Sequence, residues 1–267
     1  MQEHTFEDRI YYRTNEFKLE RLTLVFAHGA SGSSSAWLPY EKIFENKYNV
    51  LTYDIRGHGM SKKYKNYSDY EIKNFANDLH DLVTYLKIPK FILISNSFAG
   101  LVALQYLKSY RETVIANVFT SPEVYMNNSF LAKIAPPILK TAKIFPFHPK
   151  PRGHVDYRKH INSTDWDIKR NLADLKNTTL RVLFYVLRQS FSPLEYDLKK
   201  INTPTLIMHG EKDSMAPMKN AIRMHNEIKN SEFVSIPDVD HNTVHNAVKI
   251  MSSAIESFIE KNKKNLL

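Results

Sequence analysis

Apolar residues follow two rhythms along this chain. Short apolar runs recur at "RLTLVFAHG", "NVLTYDIRGHG", "KFILISNS" and "VIANVFTSP". Between them, apolar positions fall three and four apart, as at Ile72, Phe75, Leu79, Leu82, Val83 and Leu86. The first rhythm predicts buried strands and the second amphipathic helices. "SSAWLPYEKIFENKY", "SDYEIKNFANDLHDLVTYLKI" and "AGLVALQYLKSYRE" are the helices, with Ser68 as the expected cap of the second. Strands alternating with helices mean βαβ units and a mostly parallel sheet covered on both faces, an α/β fold. The N-terminal "HTFEDRIYYRTNE" predicts one or two antiparallel strands at the sheet edge.

The alternation stops after Pro122. Residues 123–196 show helical patterns, such as "DWDIKRNLADLKNTTLRVLFYVLRQSF", and a proline-rich stretch, but no clear buried strand. The rhythm then resumes with "TPTLIMHGEKD", "APMKNAIRMHNEIKN", "SEFVSIPDVDH" and "TVHNAVKIMSSAIESFIEKN". The expected organisation is a core in two parts, 1–122 and 197–267, interrupted by a helical cap over 123–196.

Composition narrows the chemistry. The 267 residues include no cysteine, which excludes disulfides, thiolate metal sites and a cysteine nucleophile. The first residues are charged and lack an apolar signal core, and no apolar run reaches membrane-spanning length, so a cytoplasmic protein is expected. The net charge of +9 comes with no nucleic-acid-binding motif, and the lysines read as scattered over solvated helix faces. Glycine is scarce: seven residues, against a usual share of roughly 7%. Six of the seven follow apolar runs, which places special turns at one end of the sheet.

Reactive groups of an open parallel sheet gather at the carboxyl ends of its strands. Here those ends carry His28-Gly29-Ala30-Ser31-Gly32, Ser95-Asn96-Ser97-Phe98-Ala99-Gly100, Gly210-Glu211-Lys212-Asp213 and Asp240-His241. A serine, an acid and a histidine thus follow three separate strands, in that order. Ser97 stands at a strand-to-helix corner between small residues, Ser95 and Ala99.

Over essentially its full length the chain resembles the serine α/β-hydrolase superfamily. "FAHGASGSSSAW" is similar to its oxyanion loop, "YDIRGHGMS" to the segment after the next strand, and "SNSFAG" to its nucleophile elbow. "IMHGEKDSMAP" resembles the acid turn and "DVDHN" the histidine loop. The resemblance implies an α/β-hydrolase fold with a catalytic triad of Ser97, Asp213 and His241 and an oxyanion hole of the Phe98 and Ala30 backbone N–H groups. It leaves Glu123, after the sixth core strand, as the alternative acid. The elbow departs from G-x-S-x-G in both glycines, and Ser95 and Ala99 are the small substitutes. A serine nucleophile argues against the epoxide hydrolase and haloalkane dehalogenase branches. His28 reads as a shaper of the oxyanion loop, Asp54, Arg56 and His58 as a structural turn, and His245 as a bystander.

Two further expectations concern the substrate. Trp37, Phe98, Met126, Trp166 and Met215 are placed by position as pocket walls. The stretch "FLAKIAPPILKTAKIFPFHP" sets Lys133, Lys140 and Lys143 among apolar residues, either as a packed cap helix or as an apolar tunnel whose basic rim meets an anionic membrane or lipid surface. The resulting expectation is a carboxylic-ester hydrolase for a small-molecule ester with a hydrophobic acyl part, needing no cofactor or metal, and no nucleic-acid partner. A thioesterase, C–C hydrolase or perhydrolase on the same triad, and a small-ligand receptor with slow turnover, are the alternatives; monomer and homodimer stay open.

Overall fold

The computed structural model describes residues 1–126, 139–192 and 196–266. Among these, eight strands form one sheet: β1 (Gln2–Phe6), β2 (Ile10–Thr14), β3 (Thr23–Ala27), β4 (Asn49–Tyr53), β5 (Phe91–Asn96), β6 (Val114–Thr120), β7 (Thr205–Gly210) and β8 (Ser231–Ile236). Their order is β1-β2-β4-β3-β5-β6-β7-β8. β1 pairs with β2, and β2 with β4, antiparallel; every other pairing is parallel. The N-terminal hairpin therefore sits on the sheet edge, as expected of that stretch.

The runs of β3 to β7 are largely apolar because both faces are covered. Successive residues point to opposite sides: Val25 and Ala27 join one buried cluster, and Leu24 and Phe26 the other. The first cluster takes up the helices Ile72–Tyr85 and Ala99–Tyr110, and the second the helices Leu38–Phe44 and Val248–Leu266. Trp37 lies wholly in the second cluster, fully buried, with its ring 5.0 Å from Phe26 and 5.1 Å from Tyr40. That corrects its expected place in a pocket wall. An indole flanked by aromatic core residues is a packing element.

Ser68 does not cap the second helix. Residues Tyr67–Tyr70 form a 3₁₀ turn closed by a reciprocal Asn66–Asp69 capping box, and the helix begins at Ile72 without a side-chain cap. A single periodic stretch in the insertion also divides. It becomes the helices Ile168–Thr178 and Leu180–Ser190, separated at Thr179, whose φ is +78°.

The segment between β6 and β7 is stitched to loops at the carboxyl end of the sheet. The Ser35 hydroxyl donates to the Val155 carbonyl (2.9 Å) and the Thr178 hydroxyl to the Ser31 carbonyl (2.8 Å). His154 Nε2 lies 2.8 Å from Asp54 Oδ2. Lys133 and its neighbours Phe130, Leu131, Ile134 and Ile138 lie outside the described residues. From the same stretch, Leu139 is buried, Ile144 and Lys143 are exposed, and Phe145 packs its ring 5.3 Å from Phe184. No helix among the described residues is long and apolar enough to cross a membrane.

Candidate functional site

Ser97 occupies the corner between β5 and the helix Ala99–Tyr110 with a φ of +54°, left-handed backbone that costs a non-glycine residue energy. The corner holds because its backbone is tied on both sides. Ser97 N–H donates to the Thr120 carbonyl at 2.9 Å, and Gly100 N–H to the Ser97 carbonyl at 2.9 Å. Ser95 and Ala99 are completely buried there, so their small size is a packing requirement. The neighbouring loop approaches just as closely. A Cβ on Gly29 would lie 2.9 Å from the Ser97 Cβ, which reserves that position for glycine.

His241 meets the serine from the loop after β8. Its Nε2 is 2.8 Å from Ser97 Oγ, and its Nδ1 is 2.8 Å from Asp213 Oδ2. Asp213 is fixed in turn, since its Oδ1 accepts from the N–H groups of Met215 (2.9 Å) and Ala216 (2.8 Å). The acid and histidine loops touch through their backbones. A Cβ on Gly210 would lie 2.4 Å from the carbonyl oxygens of Val239 and Asp240. Burial pulls the His241 pKa down, but the hydrogen bond and charge of Asp213, joined by the charges of Glu123 and Asp165, lift it above the usual 6.5. Burial pushes the Asp213 pKa up, and His241 and the Ala216 N–H bring it below the usual carboxylate range.

Glu123 is also at the site, on the other partner. Its Oε1 accepts from Ser97 Oγ at 2.9 Å and its Oε2 from the Ser190 hydroxyl at 2.6 Å. The carboxylate hydrogen-bonded to the imidazole is therefore Asp213, while Glu123 faces the serine.

The two backbone N–H groups expected to bind an oxyanion, those of Phe98 and Ala30, flank this corner, and neither has an acceptor among the described residues. The Phe98 ring points away into the core, 5.3 Å from Phe75, so it is no pocket wall. His28 and His58 brace the loop below. His28 Nε2 accepts from the Ile55 N–H (3.1 Å), and its Nδ1 donates to the Gly29 carbonyl (2.8 Å). His58 Nε2 accepts from the Ser31 N–H (3.3 Å), and burial pushes its pKa down to about 3. Both rings are neutral struts. Asp54 completes the turn by accepting from the N–H groups of Ser34 and Met60, both at 2.7 Å.

The space beside Ser97 measures about 60 Å³. Sites for drug-sized ligands hold roughly 300–1,000 Å³. Among the described residues its lining is mostly polar: Asn96, Tyr157, Arg170, Asp174, Asn242 and His245 stand beside Ser97 and His241. Tyr157 donates to Asp174 at 2.8 Å, and burial raises the Asp174 pKa to about 6. His245 stacks on Tyr157 with ring centres 4.1 Å apart, and burial takes its pKa down to about 3. The lining is not the apolar wall expected from position. Met126 is buried and Met215 is 40% exposed, and neither lines this space. Trp166 is 70% exposed, and its indole N–H donates to Ser214 in a separate cleft. Among the described residues no three His, Asp or Glu side chains group to hold a metal ion.

Sequence reasoning misses Asp165. It is 2% exposed and stands in the insertion, yet it ties together both loops that bear the imidazole and its acid. Its carboxylate accepts from the His241 N–H (2.8 Å), the Ser214 hydroxyl (2.8 Å) and N–H (3.1 Å), and the Asn242 amide (3.3 Å). The Asp165 N–H in turn donates to Asp240 at 2.8 Å. Nothing local in "STDWD" marks this role; only the fold brings these partners together.

The comparisons with known proteins agree with the architecture. Residues 23–247 match the family model described as the alpha/beta hydrolase fold. The uncharacterized hydrolase YugF of Bacillus subtilis is 23% identical over 260 residues, covering 90% of each chain. A thermophilic esterase from Thermogutta terrifontis superposes with a TM-score of 0.74 at 19% identity, covering 94% of each chain. A bromoperoxidase from Bacillus anthracis superposes with a TM-score of 0.72 at 20% identity, covering 94% of this chain and 95% of that one.

Proposed function

Because the chain belongs to the alpha/beta hydrolase fold family, we propose that it is a serine hydrolase cleaving carboxylic esters through an acyl-Ser97 intermediate. The observation that carries the reading is the continuous relay from Asp213 through His241 to Ser97, with both links at 2.8 Å. A serine hydroxyl attacks a carbonyl usefully only when a base takes its proton as the bond forms. His241 Nε2 is placed to do so, while Asp213 holds the Nδ1–H tautomer and stabilises the imidazolium.

The reaction then runs in two halves. Ser97 Oγ bonds to the carbonyl carbon as its proton passes to His241, and the carbonyl oxygen becomes an anion held by the Phe98 and Ala30 N–H groups. Donors of this kind are worth about 3–4 kcal/mol each in kcat. The tetrahedral adduct collapses, the alcohol leaves with the proton from His241, and the acyl group stays on Ser97. Water repeats the sequence and releases the acid. The esterase among the structural relatives uses the same fold, and the serine at the corner is the residue type this route needs.

The acyl group is small and polar in this reading, not a long apolar chain, because the described space is narrow and its lining polar. The 123–196 insertion acts as the cap that shapes that space. Hydrolysis of p-nitrophenyl acetate tests the proposal. The wild-type protein turns it over, and Ser97→Ala lowers kcat on the order of 10⁴–10⁶-fold. Equal rates in the two proteins would refute it.

A further inference from the structure

Ser97 has one hydroxyl proton and two acceptors for it: His241 Nε2 at 2.8 Å and Glu123 Oε1 at 2.9 Å. Attack on a carbonyl requires the proton to go to His241. From that moment Glu123 Oε1 has lost its donor, and in the acyl-enzyme Oγ is an ester oxygen with no hydrogen to give. Two oxygens then face each other at hydrogen-bond distance with nothing between them, and one carries charge. A charged acceptor left without a donor is costly. Glu123 is not free to swing away. Ser190, 3% exposed on the helix Leu180–Ser190, holds Oε2 at 2.6 Å, and the Glu123 N–H donates to the Ser97 carbonyl at 3.3 Å.

The chemistry of the intermediate says which part of the substrate meets this carboxylate. The tetrahedral carbon carries Oγ and three other groups. The oxyanion must face N–H donors, since a carboxylate beside it would repel it. The leaving alcohol must face His241, which protonates it. The acyl arm is what remains, and Oε1 lies one hydrogen-bond length from Oγ. An atom on the carbon next to the scissile carbonyl is within its reach.

We propose that Glu123 selects the acyl group, favouring esters that carry a hydrogen-bond donor, a hydroxyl or ammonium, on the carbon adjacent to the scissile carbonyl, and disfavouring esters that carry an anion close by. This rests on the serine-hydrolase reading above. The donor replaces the Ser97 proton on Oε1 when the acyl bond forms, so the gain is made in the transition state and appears in kcat/KM.

The test compares p-nitrophenyl esters of propionic, lactic and alanine acyl groups and the anionic monoester of malonic acid. Each kcat/KM is divided by the ester's own hydroxide-catalysed rate. Wild-type protein should prefer the lactyl and alanyl esters over propionyl on the order of 10–100-fold, less than a fully buried polar site achieves because Glu123 is half-buried and water can compete. The malonyl ester should fall below propionyl. Glu123→Ala should bring the ratios close to one, and Glu123→Gln should abolish the alanyl preference. A flat wild-type series, or a preference that survives Glu123→Ala, overturns the proposal. If Ser97 still forms a phosphonyl adduct with a fluorophosphonate in that case, the serine-hydrolase reading stands without it. If neither adduct nor turnover is seen, both readings fall.

Discussion

Three side chains at the corner divide the labour by which atom they touch. Asp213 bonds the far nitrogen of His241, whereas Glu123 bonds the serine itself. Both carboxylates, with Asp165, hold positive charge on the imidazole and lift its pKa above 6.5 against the pull of burial. The base must be neutral to accept a proton, so activity rises as pH climbs through this raised value. The acid limb of a kcat/KM profile should therefore have its midpoint above that of a free histidine, and a midpoint at or below 6.5 would contradict the arrangement. Trp37 illustrates the opposite outcome at this scale. Its position in the oxyanion-loop sequence places it near the site, but the ring is fully buried among Phe26 and Tyr40. Trp37→Ala should cost about 3–5 kcal/mol in a urea unfolding curve, with little change in KM for a small ester.

Among the elements, apolar runs and small residues at tight crossings were legible, and the choice among polar partners was not. Strand β5 announces itself because Phe91–Ile94 is apolar on both faces, and Leu93 and Ile94 indeed enter opposite clusters. The corner after it was legible through Ser95, Ser97 and Ala99, whose small size a tight strand-to-helix crossing requires. The division of the insertion at Thr179 and the Asn66–Asp69 cap were not, since apolar periodicity says nothing about a single residue's φ or about which of several polar residues finds an N–H. Asp165 was invisible for the same reason. It reads as one of two acids, with Asp167, just before the helix Ile168–Thr178, and its partners lie about the acid and histidine loops of the core. Asp165→Ala should lower kcat by about 100-fold, the scale expected when a catalytic group shifts by an ångström. It should also move the acid limb of the pH profile downward, because a negative charge that raises the His241 pKa is removed. A merely structural acid would leave that limb where it was.

The whole molecule is a sheet with two buried faces and a chemistry-bearing end, and Val155, His154, Asp165 and Thr178, from between β6 and β7, hydrogen-bond to the loops at that end. The scaffold is shared with relatives at about a fifth of identical residues, which is why fold is secure and substrate is not inherited with it. At the site, the described residues set a narrow polar space and a second carboxylate beside the serine. The claim on which the rest depends is that Ser97 is a nucleophile activated by His241. Intact-mass analysis after treatment with a fluorophosphonate reads it directly. The wild-type protein should gain a single phosphonyl group, mapped to the peptide containing Ser97, and Ser97→Ala should gain none; an unlabelled wild-type protein, or equal labelling of the two, would contradict it.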